Sequence, residues 1–193
     1  MPAMSRPQKK LTYADFLLFP DDGKRHELID GVHYATPSPY IPHQVLVGRL
    51  YLAIGNFLAT RRHLGRVFLS PVDVVMSEYD VVVPDLIFVA RHQESILTEA
   101  NVQGTPALVV EVLSPSTRRR DEGIKRKLFD DKGVSEYWLV DRKRMQVSAH
   151  RRATDGSFPT VATLSAAADD HLDTPLLPGF VLSISELFSE IEI

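Results

Sequence analysis

Two carboxylates interrupt apolar runs where a charge needs support. Glu111 stands inside Leu108-Val109-Val110-Glu111-Val112-Leu113, a run apolar on both alternating faces. Such a run reads as a strand covered on both sides. A lone carboxylate there must be paired, protonated or bound to a cation. Asp85 stands inside Val81–Val89, directly after Pro84. Proline cannot donate to a ladder, so the chain at that point is at an edge, a strand start or a bulge. Irregularities of this kind re-aim side chains. Two acids on neighbouring strands can share a hard divalent cation, and magnesium takes one or two carboxylates while keeping several waters. The third residue is Lys125, on the helix expected to leave the Glu111 strand. Phosphodiester hydrolysis needs an activated water and positive charge opposite the developing charge on phosphorus. A lysine beside two metal-binding acids can serve either need. Spacing alone does not separate Lys125 from Arg126 or Lys127, and Asp121 would give Lys125 an ordinary i,i+4 ion pair.

The elements that must position these residues show in the punctuation of the chain. Thr12 with Asp15 resembles a capping box opening a short helix to about Phe19. Asp30-Gly31 between His26–Ile29 and Val32–Tyr34 predicts a β-hairpin, because its turn needs positive φ at both central residues. A helix is expected from about Pro42 to Arg62, with Leu46, Leu50, Ile54, Phe57 and Leu58 as its apolar stripe. Strands are expected over Arg66–Met76 and Val81–Val89, with a turn at Ser77-Glu78-Tyr79-Asp80. Beyond the Glu111 strand, Ser114-Pro115-Ser116-Thr117 caps a helix from about Thr117 to Lys132, stopped at Gly133. Further strands follow at Glu136–Asp141, Met145–Arg151 and Thr160–Leu164, then a last helix over Glu186–Ile191 capped by Ser185. This order fits an α/β (α+β) fold with a mixed sheet and helices on both faces.

Other residues admit structural readings. His43 is a candidate general base, but it lies in a first helical turn, where capping or solvation suffices. Asp73 suits a strand edge. Tyr137 and Trp138 suit core packing. His26 and His33 flank the hairpin turn, and no His-x-x-x-His arrangement points to a transition-metal site.

The chain has 193 residues with 44% apolar content and no Cys, which suits a single domain over residues 11–193 after a flexible tail over residues 1–10. Disulfide frameworks, Cys-ligated zinc, iron–sulfur clusters and a Cys nucleophile are excluded. No apolar run approaches the ~20 residues of a spanning helix, and the N-terminus lacks the apolar core of a secretory signal, so a cytoplasmic protein with no membrane partner is expected. The formal net charge is −3, yet residues 118–152 carry 12 Lys and Arg against 6 Asp and Glu. That basic block fits either a polyanion-facing surface or a solvated helix face.

Pro84-Asp85, Glu111-x-Leu113-Ser114-Pro115-Ser116-Thr117, Asp121-x-x-x-Lys125 and Gly133-Val134-x-Glu136-Tyr137-Trp138-Leu139-Val140-Asp141 together resemble the Uma2 family, formerly the domain of unknown function DUF820. Glu27-Leu28-Ile29-Asp30-Gly31, Ser38-Pro39 with His43-Gln44, and Pro178-Gly179-Phe180 extend the resemblance over about Leu11 to Phe188. That family is similar to the PD-(D/E)xK restriction-endonuclease-like superfamily. The resemblance implies a restriction-endonuclease-like core and a Mg²⁺- or Mn²⁺-dependent endonuclease acting on nucleic acid, double-stranded DNA being the expected partner. Asp85 and Glu111 would hold the metal with the Val112 carbonyl, and Glu27 would complete the shell or hold a water. The lysine of the superfamily pattern is absent, since position 113 is Leu, and its task would pass to Lys125. Phe129 stands where the family often shows Tyr. Arg118, Arg119, Arg120 and Lys127 would contact phosphates, and a homodimer is expected by analogy. The competing reading is a non-catalytic nucleic-acid-binding or assembly module on the same scaffold, which the Leu at 113 favours.

Overall fold

The computed structural model describes residues 9–191. Residues 1–8 of the expected tail lie outside that span. Lys10 and Leu11 are tied to the hairpin turn, the first through its ammonium on Asp30 and the second through its N–H on the Gly31 carbonyl at 2.9 Å.

Helix α1 (Tyr13–Phe16) carries the expected capping box, with Thr12 and Asp15 bonded reciprocally. Strands β1 (Arg25–Ile29) and β2 (Val32–Thr36) form the expected hairpin. Asp30 and Gly31 have φ of 52° and 72°, the left-handed pair that a two-residue turn demands. Helix α2 (Ile41–Ala59) has Pro42 in its first turn, where a missing N–H costs nothing.

The two long strands expected before Glu111 are in fact four. The chain runs as β3 (Gly65–Leu69), β4 (Val74–Ser77), β5 (Asp80–Val82) and β6 (Leu86–Ala90). Strands β3 and β6 belong to one sheet, and β4 and β5 to another. Prolines cause both breaks, since Pro71 and Pro84 fall in the gaps and neither can donate to a ladder. Short β7 (Val102–Gln103), which the apolar pattern did not announce, pairs parallel to β4.

The larger sheet has six strands in the order β11-β10-β9-β8-β6-β3. It contains β8 (Leu108–Val112), β9 (Glu136–Asp141), β10 (Gln146–Arg151) and β11 (Thr160–Ser165). It is mixed, since β8 and β9 pair in parallel and the other pairs are antiparallel. All five residues of β8 are buried, as its two-faced apolar pattern requires. Alternation sends Leu108, Val110 and Val112 into a core beneath α2, and Val109 and Leu113 into a second core with Phe129 and Tyr137. The five-stranded sheet, order β2-β1-β5-β4-β7, contributes Ile29, Val74, Val82 and Val102 to that second core.

The helix after β8 is not regular. It runs as α3 (Arg118–Arg120), a π-helical turn (Asp121–Lys125) and α4 (Arg126–Asp131). The C-terminal segment adds a small hairpin, β12 (His171–Asp173) with β13 (Val181–Ser183), and helix α5 (Ile184–Phe188). The cap of α5 is Ser183, whose hydroxyl accepts from the Glu186 N–H, and not Ser185. Among the described residues no helix is long and apolar enough to cross a membrane.

Candidate metal-nuclease site

The site forms where the two sheets part. At Val83-Pro84-Asp85 the chain leaves the smaller sheet and enters the larger one. Glu27 and Asp85 meet at this crossing, and both are 2% exposed. Glu27 is not the wet hairpin glutamate that an edge strand allows. Its Oε1 accepts from the Val83 N–H at 3.0 Å and lies 2.7 Å from Lys125 Nζ. Its Oε2 lies 3.4 Å from Arg120.

Strand β6 pairs with β8 only as far as Leu86 opposite Val110. The Val112 N–H therefore lies past the end of that ladder, and Asp85 Oδ2 accepts it at 2.9 Å. The carboxylate stands in for the missing strand, because a buried N–H needs a partner. Asp85 Oδ1 lies 2.6 Å from Arg25 Nη1, and Oδ2 lies 3.0 Å from His43 Nε2. Burial alone would raise the Asp85 pKa. The His43 imidazole, the Arg25 guanidinium and the Val112 N–H overcome it and bring the value to about 2.

Glu111 and Lys125 face each other across β8 and the π-helical turn. Lys125 Nζ is 2.6 Å from Glu111 Oε1 and 3.9 Å from Asp121 Oδ1. The π-helical turn buries Asp121 and Lys125, four residues apart, while Glu122, Gly123 and Ile124 between them stay exposed. Such turns often sit at functional sites. Burial works against a charged Lys125, but Glu111, Glu27 and Asp121 around it raise its pKa and keep it protonated. Glu111 is pushed well above the usual carboxylate range. Burial comes first, then Asp85, Asp121 and Glu27, and together they outweigh the opposing pull of Lys125. Burial likewise raises Asp121. Glu27 is burdened by the same burial, yet Lys125 and Arg120 hold its pKa below the usual value.

These side chains enclose a polar cavity of about 10 Å³, roughly the room one water needs. Its lining holds four carboxylates (Glu27, Asp85, Glu111, Asp121) against three fixed cations (Arg25, Arg120, Lys125). His43, 3.0 Å from Asp85, adds a further basic group to the site, and Asp121 Oδ1 is buried without a hydrogen-bond partner. The donors are hard oxygens, so the residues fit a divalent cation such as magnesium. Among the described residues no three His, Asp or Glu side chains form a ready-made cage. A cation there would keep waters, as magnesium does.

The basic residues divide. Arg120 belongs to the site, with its guanidinium 2.5 Å from Thr36 Oγ1 and 5.4 Å from the Tyr34 ring centre. Arg118 is held by Asp141 at 2.8 Å and Glu122 at 2.9 Å. Lys127 pairs with Asp131 at 2.7 Å on the solvent side of α4, away from the cavity. Arg119 is exposed. Asp73 stays outside the cavity, its pKa raised by burial. Tyr137 and Trp138 are fully buried core residues, and the Tyr137 hydroxyl donates to the Asp121 carbonyl at 3.2 Å. Phe129 packs edge-on against Tyr137, with ring centres 4.8 Å apart.

Three site residues escaped the reading of the sequence. His43 was expected to cap or to be solvated, but it turns inward from α2 onto Asp85, and its Nδ1 is buried without a partner. Asp121 was expected only as a helical partner of Lys125, but it is 1% exposed and faces the cavity. Arg25 drew no notice, although it precedes Glu27 by two residues and so shares its face of β1. That spacing was the available signal.

Residues 13–185 match the profile of Uma2, described as "Putative restriction endonuclease". The chain belongs to the Uma2 family. This Uma2 chain is 28% identical over 172 residues to an uncharacterized protein of Synechocystis sp., a match covering 88% of the chain and 87% of that protein. Its fold is similar to that of a crystal structure described as a putative nuclease belonging to DUF820 from Anabaena variabilis. The TM-score is 0.76 at 20% identity, covering 94% of this chain and 99% of the other. The mixed α+β architecture of this Uma2 chain is thus that of a nuclease-like fold.

Proposed function

We propose that this chain is a Mg²⁺- or Mn²⁺-dependent endonuclease that hydrolyses the phosphodiester backbone of DNA. The observation that carries the reading is the convergence of Asp85 and Glu111 on one cavity beside a buried Lys125. Asp85, Glu111 and the Val112 carbonyl would hold the metal, with Glu27 behind them. When bound, such an ion supplies positive charge to the scissile phosphate and makes a water more acidic.

The protein's own part is positioning and charge. Arg25 and His43 fix the Asp85 carboxylate on two sides. Lys125 has three N–H donors and spends two on Glu27 and Glu111 at 2.7 and 2.6 Å. The third can meet a water in the cavity. In this reading its charge, fixed before the reaction, would oppose the negative charge that develops on phosphorus.

A second reading is favoured by one observation. Both Asp85 oxygens already have partners in Arg25, His43 and the Val112 N–H. A site satisfied this way suits a binding module that does not cleave. Supercoiled plasmid with Mg²⁺ or Mn²⁺, with and without EDTA, separates the two. Metal-dependent nicking that disappears in Asp85→Ala and Glu111→Ala supports the enzyme. Binding without nicking supports the module.

A further inference from the structure

A groove of about 1050 Å³ opens beside Leu113, one residue past the end of β8, and beside Arg142 and Lys143, just past the end of β9. Those are the carboxyl ends of the parallel strand pair, where open α/β sheets bind ligands. Val112 and Thr117 line the acidic cavity, and their chain neighbours Leu113 and Arg118 line the groove. The groove has two chemistries. Leu113, Met145 and Phe188 give it an apolar lining. Arg142 and Lys143, from the turn between β9 and β10, give it a cationic wall, opposed by Glu190. Both cations are exposed, and among the described residues neither has an ion-pair partner. Met145 is 48% exposed although it is apolar. A smaller hollow of about 280 Å³ shares Arg118 and Lys143 with the groove and adds Glu122 and Arg144.

Cationic and apolar surfaces side by side match one form of polyanion. A duplex shows phosphates and base edges and keeps its base faces stacked inside. An unpaired strand offers phosphates to cations and base faces to apolar side chains. We propose that this groove binds an unpaired stretch of nucleic-acid strand adjoining the phosphodiester presented to Asp85 and Glu111. Arg142 and Lys143 contact its phosphates, and the exposed Met145 contacts its bases. The assignment rests on the nuclease reading and adds the form of the substrate.

Fluorescence anisotropy on the full chain tests it with three labelled probes: a blunt duplex, the same duplex with a single-stranded tail, and the tail alone. The tailed duplex binds roughly tenfold more tightly than the blunt one, because base contacts add to phosphate contacts. The double variant Arg142→Glu/Lys143→Glu loses roughly that factor for the tailed probe, and its salt slope falls by about two. Met145→Asn tolerates the left-handed backbone at this position, where φ is 49°. It narrows the ratio of tailed to blunt affinity. Equal affinity for blunt and tailed probes, or an unchanged double variant, overturns the groove assignment. If plasmid nicking then persists in the wild type and is lost in Asp85→Asn, only the groove assignment falls. If no probe binds and no plasmid is nicked, the nuclease reading falls with it.

Discussion

Lys125 Nζ lies 2.6 Å from Glu111 Oε1, although 14 residues and a change from strand to helix separate them. Both are almost completely buried. Glu27, on a hairpin strand from another sheet, takes the same ammonium at 2.7 Å. One lysine thus joins the two sheets and the π-helical turn at a single point.

Removing that ammonium leaves buried carboxyl groups facing one another without their shared cation. Lys125→Met should destabilise the fold by about 3–5 kcal/mol, the usual cost of breaking a buried pair on one side. Urea unfolding measures it. A loss under 1 kcal/mol would mean that water reaches the cavity and screens the charges.

Asp85 and Glu111 should give opposite pH dependences in metal-free protein. The Asp85 pKa is lowered from 3.8 to about 2, so its contribution is fully present above 3.8 and is lost as pH falls towards 2. Glu111 is raised above 4.5, so the folded state holds its proton more tightly than the unfolded chain. Its ionisation therefore lowers stability as pH rises above 4.5. The melting temperature of Glu111→Gln relative to wild type should climb from pH 4.5 towards neutrality. That of Asp85→Asn should fall furthest below wild type at neutral pH and converge with it near pH 2. Parallel curves for the two variants would contradict the assignment.

Arg25 is the residue that the sequence did not flag, and its removal separates site from surface. Arg25→Ala strips a charged partner from a buried carboxylate, at a cost of about 1.5–3 kcal/mol. Arg119→Ala, on the exposed face of α3, should leave the unfolding midpoint unchanged. Equal effects in chemical denaturation would refute the distinction.

Local chemistry made part of this legible. The Asp30-Gly31 turn, the Thr12–Asp15 capping box and the two-faced Glu111 strand each rest on neighbours in sequence, and each is found. Asp85 and Glu111 were conspicuous because they break apolar runs. Lys125 was not separable from Arg126 or Lys127 by spacing, and only the folded helix shows which of the three turns inward. His43 was illegible because a first-turn histidine has no local feature that distinguishes inward from outward. Pro84 was read as an irregularity and the strand was carried straight through Pro71, since apolar composition does not tell which sheet a strand joins.

A divalent cation that binds the folded chain and not the unfolded one acts on stability as well as on catalysis. At about a hundred times its dissociation constant, Mg²⁺ or Mn²⁺ should stabilise the fold by about 2.7 kcal/mol. Thermal melts with and without EDTA report it. Glu111→Gln should abolish the shift, and Lys127→Ala, on the solvent side of α4, should retain it.

Calorimetric titration of Mn²⁺ into the metal-free chain goes straight to the question of whether the pocket between Asp85 and Glu111 is a cation site. The account predicts one ion per chain, with binding lost in Asp85→Asn and in Glu111→Gln while both variants remain folded. A wild-type chain that takes up no Mn²⁺, or variants that bind it as well as wild type does, would contradict it.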